Sequence, residues 1–163
     1  MKKKSRVAIL MGSSSDAGAL RGCAKILKSF GVGYMAKVLS AHRTPRDTER
    51  FVEAAKKNGI EVIIAAAGGA AHLAGVTAAH TDLPVIGVPM DNASLKGLDS
   101  LLSTVQMPAG VPVACVAIGA QGAKNAAYLA LRILALADSR IASRLRRHRE
   151  STRKKILGTV LDF

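Results

Sequence analysis

The chain has no tryptophan, three phenylalanines and two tyrosines in 163 residues. An interior without large aromatic plates has to be built from Ala, Val, Ile and Leu, which suits thin strands and closely packed, Ala-rich helices. Acidic residues are also scarce, eleven against twenty-four Lys and Arg, for a formal charge of +13. The two cysteines, Cys23 and Cys115, lie far apart, each inside an apolar pattern. Neither has a metal-ligand neighbour at the usual short spacing, so both are expected as buried free thiols, and no metal is expected. No apolar stretch approaches the roughly 18 to 20 residues that cross a bilayer. Lys2-Lys3-Lys4 leads straight into an apolar run too short for a secretory signal. The chain therefore reads as cytoplasmic, with no membrane partner. Internal repeats are absent.

What is present is a hydrophobic content of 49%. At this length that sustains one domain with its own core and argues against disorder. The positive charge is not spread evenly. Residues 1–6 carry +4 and residues 139–163 carry +6, eight Lys/Arg against Glu150 and Asp162, which leaves +3 for residues 7–138. The folded body is close to neutral. A basic tail without interleaved aromatics is a solvated surface, so nucleic acid is not expected as a partner.

Val7-Ala8-Ile9-Leu10-Met11 is a continuous apolar run stopped by Gly12, the pattern of a strand buried on both faces in a parallel sheet. Leu20, Cys23, Ala24, Leu27 and Phe30 recur at helical spacing up to Gly31. Residues 34–39 form a second short strand. The next helix starts at Pro45, carries Phe51, Val52, Ala54 and Ala55, and stops at Asn58-Gly59. Thr44 is positioned to cap it, with Asp47 where a capping-box acid would stand. Residues 61–66 read as the third strand, and a short helix runs from His72 toward His80, itself a surface residue. Residues 83–89 are the fourth strand, with prolines at its ends. Leu95, Leu98, Leu101 and Leu102 suggest a short helix, and residues 103–108 an irregular segment.

Residues 113–118 are the fifth strand. Residues 123–137 form a long helix, apolar on too many faces for solvent and so expected against another subunit or a following helix. A basic amphipathic helix over 139–157, with Ile141, Leu145 and Ile156 on one side, is expected to pack on a neighbouring subunit. Residues 1–5 and those beyond about 157 are expected to fray. Strands and helices alternate five times with short connections. The expected architecture is a single α/β domain over residues 1–163, a three-layer αβα sandwich on a parallel five-stranded sheet. Its core spans about 7–138, and a C-terminal helix extends it.

The chemistry concentrates at three strand exits. Ser40-Ala41-His42-Arg43-Thr44-Pro45 lies on a strand-to-helix turn, where ligands bind in open α/β sheets. A proton-transferring imidazole beside a guanidinium able to fork onto phosphate makes a compact site. The bland alternative is a turn-capping His42 and a solvated Arg43. Gly12-Ser13-Ser14-Ser15-Asp16 sets amides and hydroxyls at a helix N-terminus, a ready anion site. It is neither a P-loop nor a G-x-G-x-x-G fingerprint. Asp16 repels phosphate, and suits ribose hydroxyls or simply caps the helix. In Ala67-Gly68-Gly69-Ala70-Ala71-His72-Leu73, two glycines among methyl side chains let the backbone approach a ligand closely. His72 faces that ligand or is a hydrogen-bonded structural imidazole.

These stretches occur in order with Pro84-Val-Ile-Gly-Val-Pro89, Gly97-Leu-Asp-Ser-Leu-Leu-Ser103, Val105-Gln-Met-Pro108, Ala117-Ile-Gly119 and Lys124-Asn-Ala-Ala127. Over about residues 7–138 the chain resembles the class I N5-carboxyaminoimidazole ribonucleotide mutases of purine biosynthesis, the phosphoribosylaminoimidazole carboxylase catalytic subunit family. The resemblance implies a flavodoxin-like enzyme that moves a carboxylate from the exocyclic nitrogen of the aminoimidazole to its C4, with no cofactor. Decarboxylation, CO2 trapped in the site and recarboxylation at carbon are the implied steps. His42 falls on the family's proton shuttle, and Ser13, Asp16 and Arg43 on its substrate-binding residues. A homo-octamer with shared active sites is also implied, in keeping with the over-apolar helix.

The chemistry of the residues is compatible. A free imidazole titrates near about 6.5, and general acid–base help of this kind is worth on the order of 10² to 10⁴ in rate. Phosphate is expected near Arg43 and the Ser13 and Ser15 hydroxyls, and the ribose diol near Asp16. Ser40, Gly68, Gly69, Ala70, His72 and Leu73 complete the expected substrate contacts. The small residues of 67–71 suit a dry pocket for transient CO2, with backbone N–H groups facing its oxygens. Three residues depart from the family pattern: Ala17 where many members carry Trp, Ala66 where Gly is usual, and Ala74 where Pro is usual. Ala66 is expected to narrow the pocket floor and Ala74 to loosen the loop. Two other readings stand beside the mutase. One is a class II-type carboxylase acting on aminoimidazole ribonucleotide and CO2. The other is a non-catalytic flavodoxin-like module binding nucleotide or nucleic acid.

Overall fold

The apolar runs form five strands in a computed structural model that describes residues 4–91 and 95–161. They are β1 (Val7–Met11), β2 (Tyr34–Val38), β3 (Val62–Ala67), β4 (Val85–Pro89) and β5 (Ala114–Cys115). All pair in parallel in the order β2-β1-β3-β4-β5, the flavodoxin-like order. β1, β3 and β4 are buried almost throughout, which their unbroken apolar sequences require, whereas β2 is a half-exposed edge. Helices α1 (Ala17–Ser29), α2 (Pro45–Ala55), α3 (Leu73–Ala79), α4 (Leu98–Val105), α5 (Gly119–Ala135) and α6 (Ser139–Leu157) cover the sheet. On one face Leu20 and Leu27 of α1 and Ala127 and Leu131 of α5 pack on Ile9 and Ile64. On the other, Val52 of α2 and Leu73 of α3 pack on Leu10 and Ile63. The three expected layers are present. Both cysteines are free, and burial pushes the Cys23 thiol up to about 12. No described helix is long and apolar enough to cross a membrane.

Four elements differ from expectation. The fifth strand pairs only over Ala114–Cys115, plus the bond from Val116 N–H to the Gly87 carbonyl (3.1 Å). Gly87 faces β5, so Pro89, two residues on, faces it too and has no N–H to extend the ladder. α4 runs on through Val105, because the Thr104 hydroxyl donates to the Ser100 carbonyl (2.7 Å) and is satisfied inside the helix. α5 starts earlier, at Gly119. A Cβ at Gly122 would overlap the Ala117 carbonyl oxygen, so only glycine lets the helix fold back this closely.

The apolar excess of α5 is buried within its own chain, against α1, the sheet and α6. It therefore says nothing about oligomerisation. The first half of α6 packs at home through Ile141, Leu145 and the Arg144 bond to the Phe30 carbonyl (2.5 Å). Ile156 does not continue that side and is 66% exposed. Fraying of residues 1–3, 162 and 163 falls outside the described residues.

Arg6 ties the amino edge of the sheet together. Its guanidinium donates to Glu61 ahead of β3 (Nη2 to Oε2, 3.0 Å) and to Asp138 ahead of α6 (Nη1 to Oδ2, 3.0 Å). The hydrogen bond from Arg6 holds the Glu61 carboxyl below its ordinary value. A lowered folded value means stability that is present above the ordinary carboxylate range and lost as pH falls through the folded value. Arg6→Gln should thus lower the melting temperature at pH 7, by an amount equivalent to at most about 1 kcal/mol for so exposed a pair. The difference from the parent should shrink toward zero as melts are repeated at pH values falling below about 4.

Candidate functional site

The exits of β1, β2 and β3 converge on a cavity of about 340 Å³. Ser40 shapes the β2–α2 turn that carries His42 and Arg43. Its hydroxyl accepts from the Arg43 N–H (3.1 Å), and its carbonyl accepts from the Thr44 N–H (2.9 Å) and hydroxyl (3.1 Å). The Thr44 hydroxyl also accepts from the Ser40 N–H (2.9 Å). Thr44 is therefore turned back on Ser40 and makes no side-chain cap to α2, contrary to expectation. Asp47 makes no capping box either and lies 3.7 Å from Arg50. The Thr44 hydroxyl is already committed to the Ser40 N–H and carbonyl, so closing the turn takes precedence over accepting from the N–H groups of the first turn of α2.

Across the cavity, His72 is the residue before α3. His42 Nε2 and His72 Nδ1 are 2.8 Å apart, with the rings edge to face at 87° and centroids 4.9 Å apart. One ring must donate and the other accept, so this contact holds a single proton between them. Arg43 leans the opposite way, donating from Nη2 to the Gly12 carbonyl at the end of β1 (2.7 Å). It lines both the cavity and a neighbouring hollow of about 250 Å³ with Ser13, Ser14 and Thr44. The Ser13 hydroxyl accepts from Ser15 N–H (3.3 Å) and from the Ser15 hydroxyl (2.9 Å), starting the short 3-10 turn Ser14–Asp16. Asp16 is buried at the cavity wall and makes no side-chain cap to α1.

The third wall is the loop after β3. Gly69 N–H donates to Ser100 Oγ (2.9 Å), which donates onward to the Met90 carbonyl (2.8 Å). Ser103 Oγ donates to the Asp99 carbonyl, lies 3.2 Å from the Gly69 carbonyl, and accepts from Ala71 N–H (3.4 Å). Gly69 adopts φ +63°, a conformation that an L side chain resists.

Of the residues singled out from the sequence, Ser13, Asp16, Ser40, His42, Arg43, Gly68, Ala70, His72 and Leu73 line the cavity together. Ser15 and Gly69 do not. Ser15 spends its hydroxyl on Ser13, and Gly69 turns its amide to α4. The amides of Gly69 and Ala71 are thus taken and do not face a ligand, a correction to the expectation for this loop. Gly12, Ala41 and Ala67 also line the cavity. Ser100 and Ser103 were missed, although two serines three apart among the leucines of α4 are a legible polar stripe. Ala66 points into the α1–α5 core and does not form the pocket floor. Ala74 is buried inside α3 and belongs to the helix, not the loop. Ala17 opens α1 at the surface. A larger groove of about 740 Å³ lies between α5 and α6, far from the His42–His72 pair and lined by Arg132, Arg146, Arg149 and Arg153.

Residues 6–155 match the AIR carboxylase family. The chain belongs to this family. A Saccharolobus solfataricus protein named N5-carboxyaminoimidazole ribonucleotide mutase is 54% identical over 157 residues, 96% of this chain and 98% of that one. A Bacillus subtilis protein of the same name is 52% identical over 151 residues, 93% of each chain. Among solved structures, Treponema denticola PurE superposes with a TM-score of 0.84 at 34% identity, covering 93% of each chain. This AIR carboxylase family member therefore shares both sequence and fold across nearly its full length.

The cavity wall leads to one prediction. Ser100→Ala leaves the partly buried Gly69 amide without its acceptor. It should cost about 1 to 3 kcal/mol in urea unfolding, with a raised KM for the substrate. Unchanged stability and KM would show that the loop holds itself.

Proposed function

We propose that this chain is an isomerase of purine biosynthesis, converting N5-carboxyaminoimidazole ribonucleotide to 4-carboxyaminoimidazole ribonucleotide. The observation that carries the reading is the hydrogen-bonded His42–His72 pair inside a cavity that also holds Arg43, Ser13 and Asp16. The names borne by relatives at 54% and 52% identity support the same reaction. The bond from the exocyclic nitrogen to the carboxyl carbon breaks, releasing CO2, and the nitrogen takes a proton. C4 then attacks CO2, a new carbon–carbon bond forms, and C4 loses its proton.

His42 serves as the group that gives and recovers that proton. His72, hydrogen-bonded to it, positions the ring and fixes which nitrogen carries hydrogen. Arg43, with Nη2 anchored on Gly12, presents its remaining N–H groups to the phosphate beside Ser13, and Asp16 accepts from the ribose diol. Ser40 holds the turn, and Gly68, Ala70 and Leu73 form a small, largely apolar wall that keeps CO2 beside the ring. The chemistry assigned to these residues calls for no cofactor.

His42→Asn should lower turnover by about 10² to 10⁴ while nucleotide binding persists. Near-wild-type isomerisation by that variant would remove His42 from the role. Offering the purified protein both N5-carboxyaminoimidazole ribonucleotide and aminoimidazole ribonucleotide with CO2 separates mutase from direct carboxylase. Turnover of the second substrate alone would overturn the mutase reading.

We read the enzyme as a cytoplasmic homo-oligomer, with the octamer as the form the family resemblance implies. Support comes from an exposed stripe at Leu98, Leu102 and Val105, each about half exposed, on the face of α4 opposite Ser100. Leu98→Glu combined with Leu102→Glu should reduce the mass measured by light scattering. An unchanged mass would exclude this stripe from the subunit contact.

A further inference from the structure

Two carboxylates and an imidazole converge away from the cavity, between α2 and α3. Glu49 and Glu53 stand one turn apart on α2, and His80 follows the last residue of α3. One ligand atom from each lies within 4.8 Å of the other two. His80 Nδ1 is 3.8 Å from Glu49 Oε1, with their side chains 34% and 47% exposed. Like charges one turn apart on a helix repel. Here only one of the two carboxylates is answered: among the described residues Glu53 makes no ion pair, and nearby Arg50 is turned to Asp47. The C-terminal end of α3, where His80 sits, is itself an electrostatically favourable position for a cation.

We propose that Glu49, Glu53 and His80 form a binding site for a zinc-class divalent cation that clamps α2 to α3. One imidazole and two carboxylates are a nitrogen–oxygen donor set. The imidazole disfavours calcium and magnesium, and the lack of thiolate disfavours copper(I). Zinc takes such donors at about 2.0 to 2.2 Å in tetrahedral geometry, with water as a fourth ligand. Donor atoms on that radius are about 3.5 Å apart, so modest rotation of these open side chains closes the site.

The location gives the clamp a consequence. α2 begins immediately after the His42–Arg43 turn, and α3 immediately after His72. A cation would tie the C-terminal end of α3 to the middle and last turn of α2, the two helices that follow the histidine-bearing turns. The inference is independent of the reaction proposed for the cavity.

The test is calorimetric titration of the metal-stripped full-length protein with zinc chloride, alongside thermal melts. One equivalent of zinc should bind and raise the melting temperature. Glu53→Gln and His80→Ala should each weaken binding at least tenfold and abolish the thermal shift, while circular dichroism and metal-free activity stay at parental values. His72→Asn, which removes the competing imidazole of the cavity pair, should leave the equivalent in place. The proposal is overturned if no zinc binds, if either Glu53→Gln or His80→Ala changes the affinity less than tenfold, or if His72→Asn removes the site.

Discussion

The structure depends on burying β1 on both faces with β2 on one side and β3 on the other. A strand packed this way has no side chain free for chemistry, so reactivity is driven to the loops at its carboxyl edge. Neighbouring strands lie about 4.8 Å apart, which sets the β2 and β3 exits roughly 10 Å from each other across β1. Two imidazoles reaching inward from those exits span that gap, and His42 and His72 meet at 2.8 Å. The crossover at β1 thus determines a proton-sharing contact between residues thirty apart in sequence.

The second constraint is the cavity's smallness. Its β3 wall is made of glycine and alanine, which gives little side-chain packing to hold a loop rigid. Rigidity comes from outside, through Ser100 and Ser103 of α4, which take up the amides of Gly69 and Ala71. A wall that is both thin and fixed suits the confinement of a small neutral molecule. The amides that hold it in position are not available to bind that molecule.

Much of this was legible in the residues. Apolar runs ended by glycine marked β1 and β3, and the pairing of His42 with Arg43 before Pro45 marked the turn. What escaped depended on partners distant in sequence. Thr44 has the composition of a cap, but the Ser40 backbone competes for its hydroxyl and wins. The fifth strand is cut short by a missing N–H at Pro89 on its neighbour, which the 113–118 segment cannot reveal. Of the two partners expected for long apolar α5, the following helix α6 is the one present, and the larger share taken by α1 is a tertiary fact. The proximity of His80 to Glu49 and Glu53 likewise arises only when α2 and α3 lie side by side.

Arg6 joins Glu61 and Asp138 at the amino edge of the sheet, the end away from the histidine pair. The C-terminal helix therefore departs from the rear of the molecule, with the full height of the strands between its root and the histidine pair. Descendants of this chain are free to recharge the exposed outer half of that helix without rebuilding the cavity, whereas Ile141 and Leu145 tie its first half to the core.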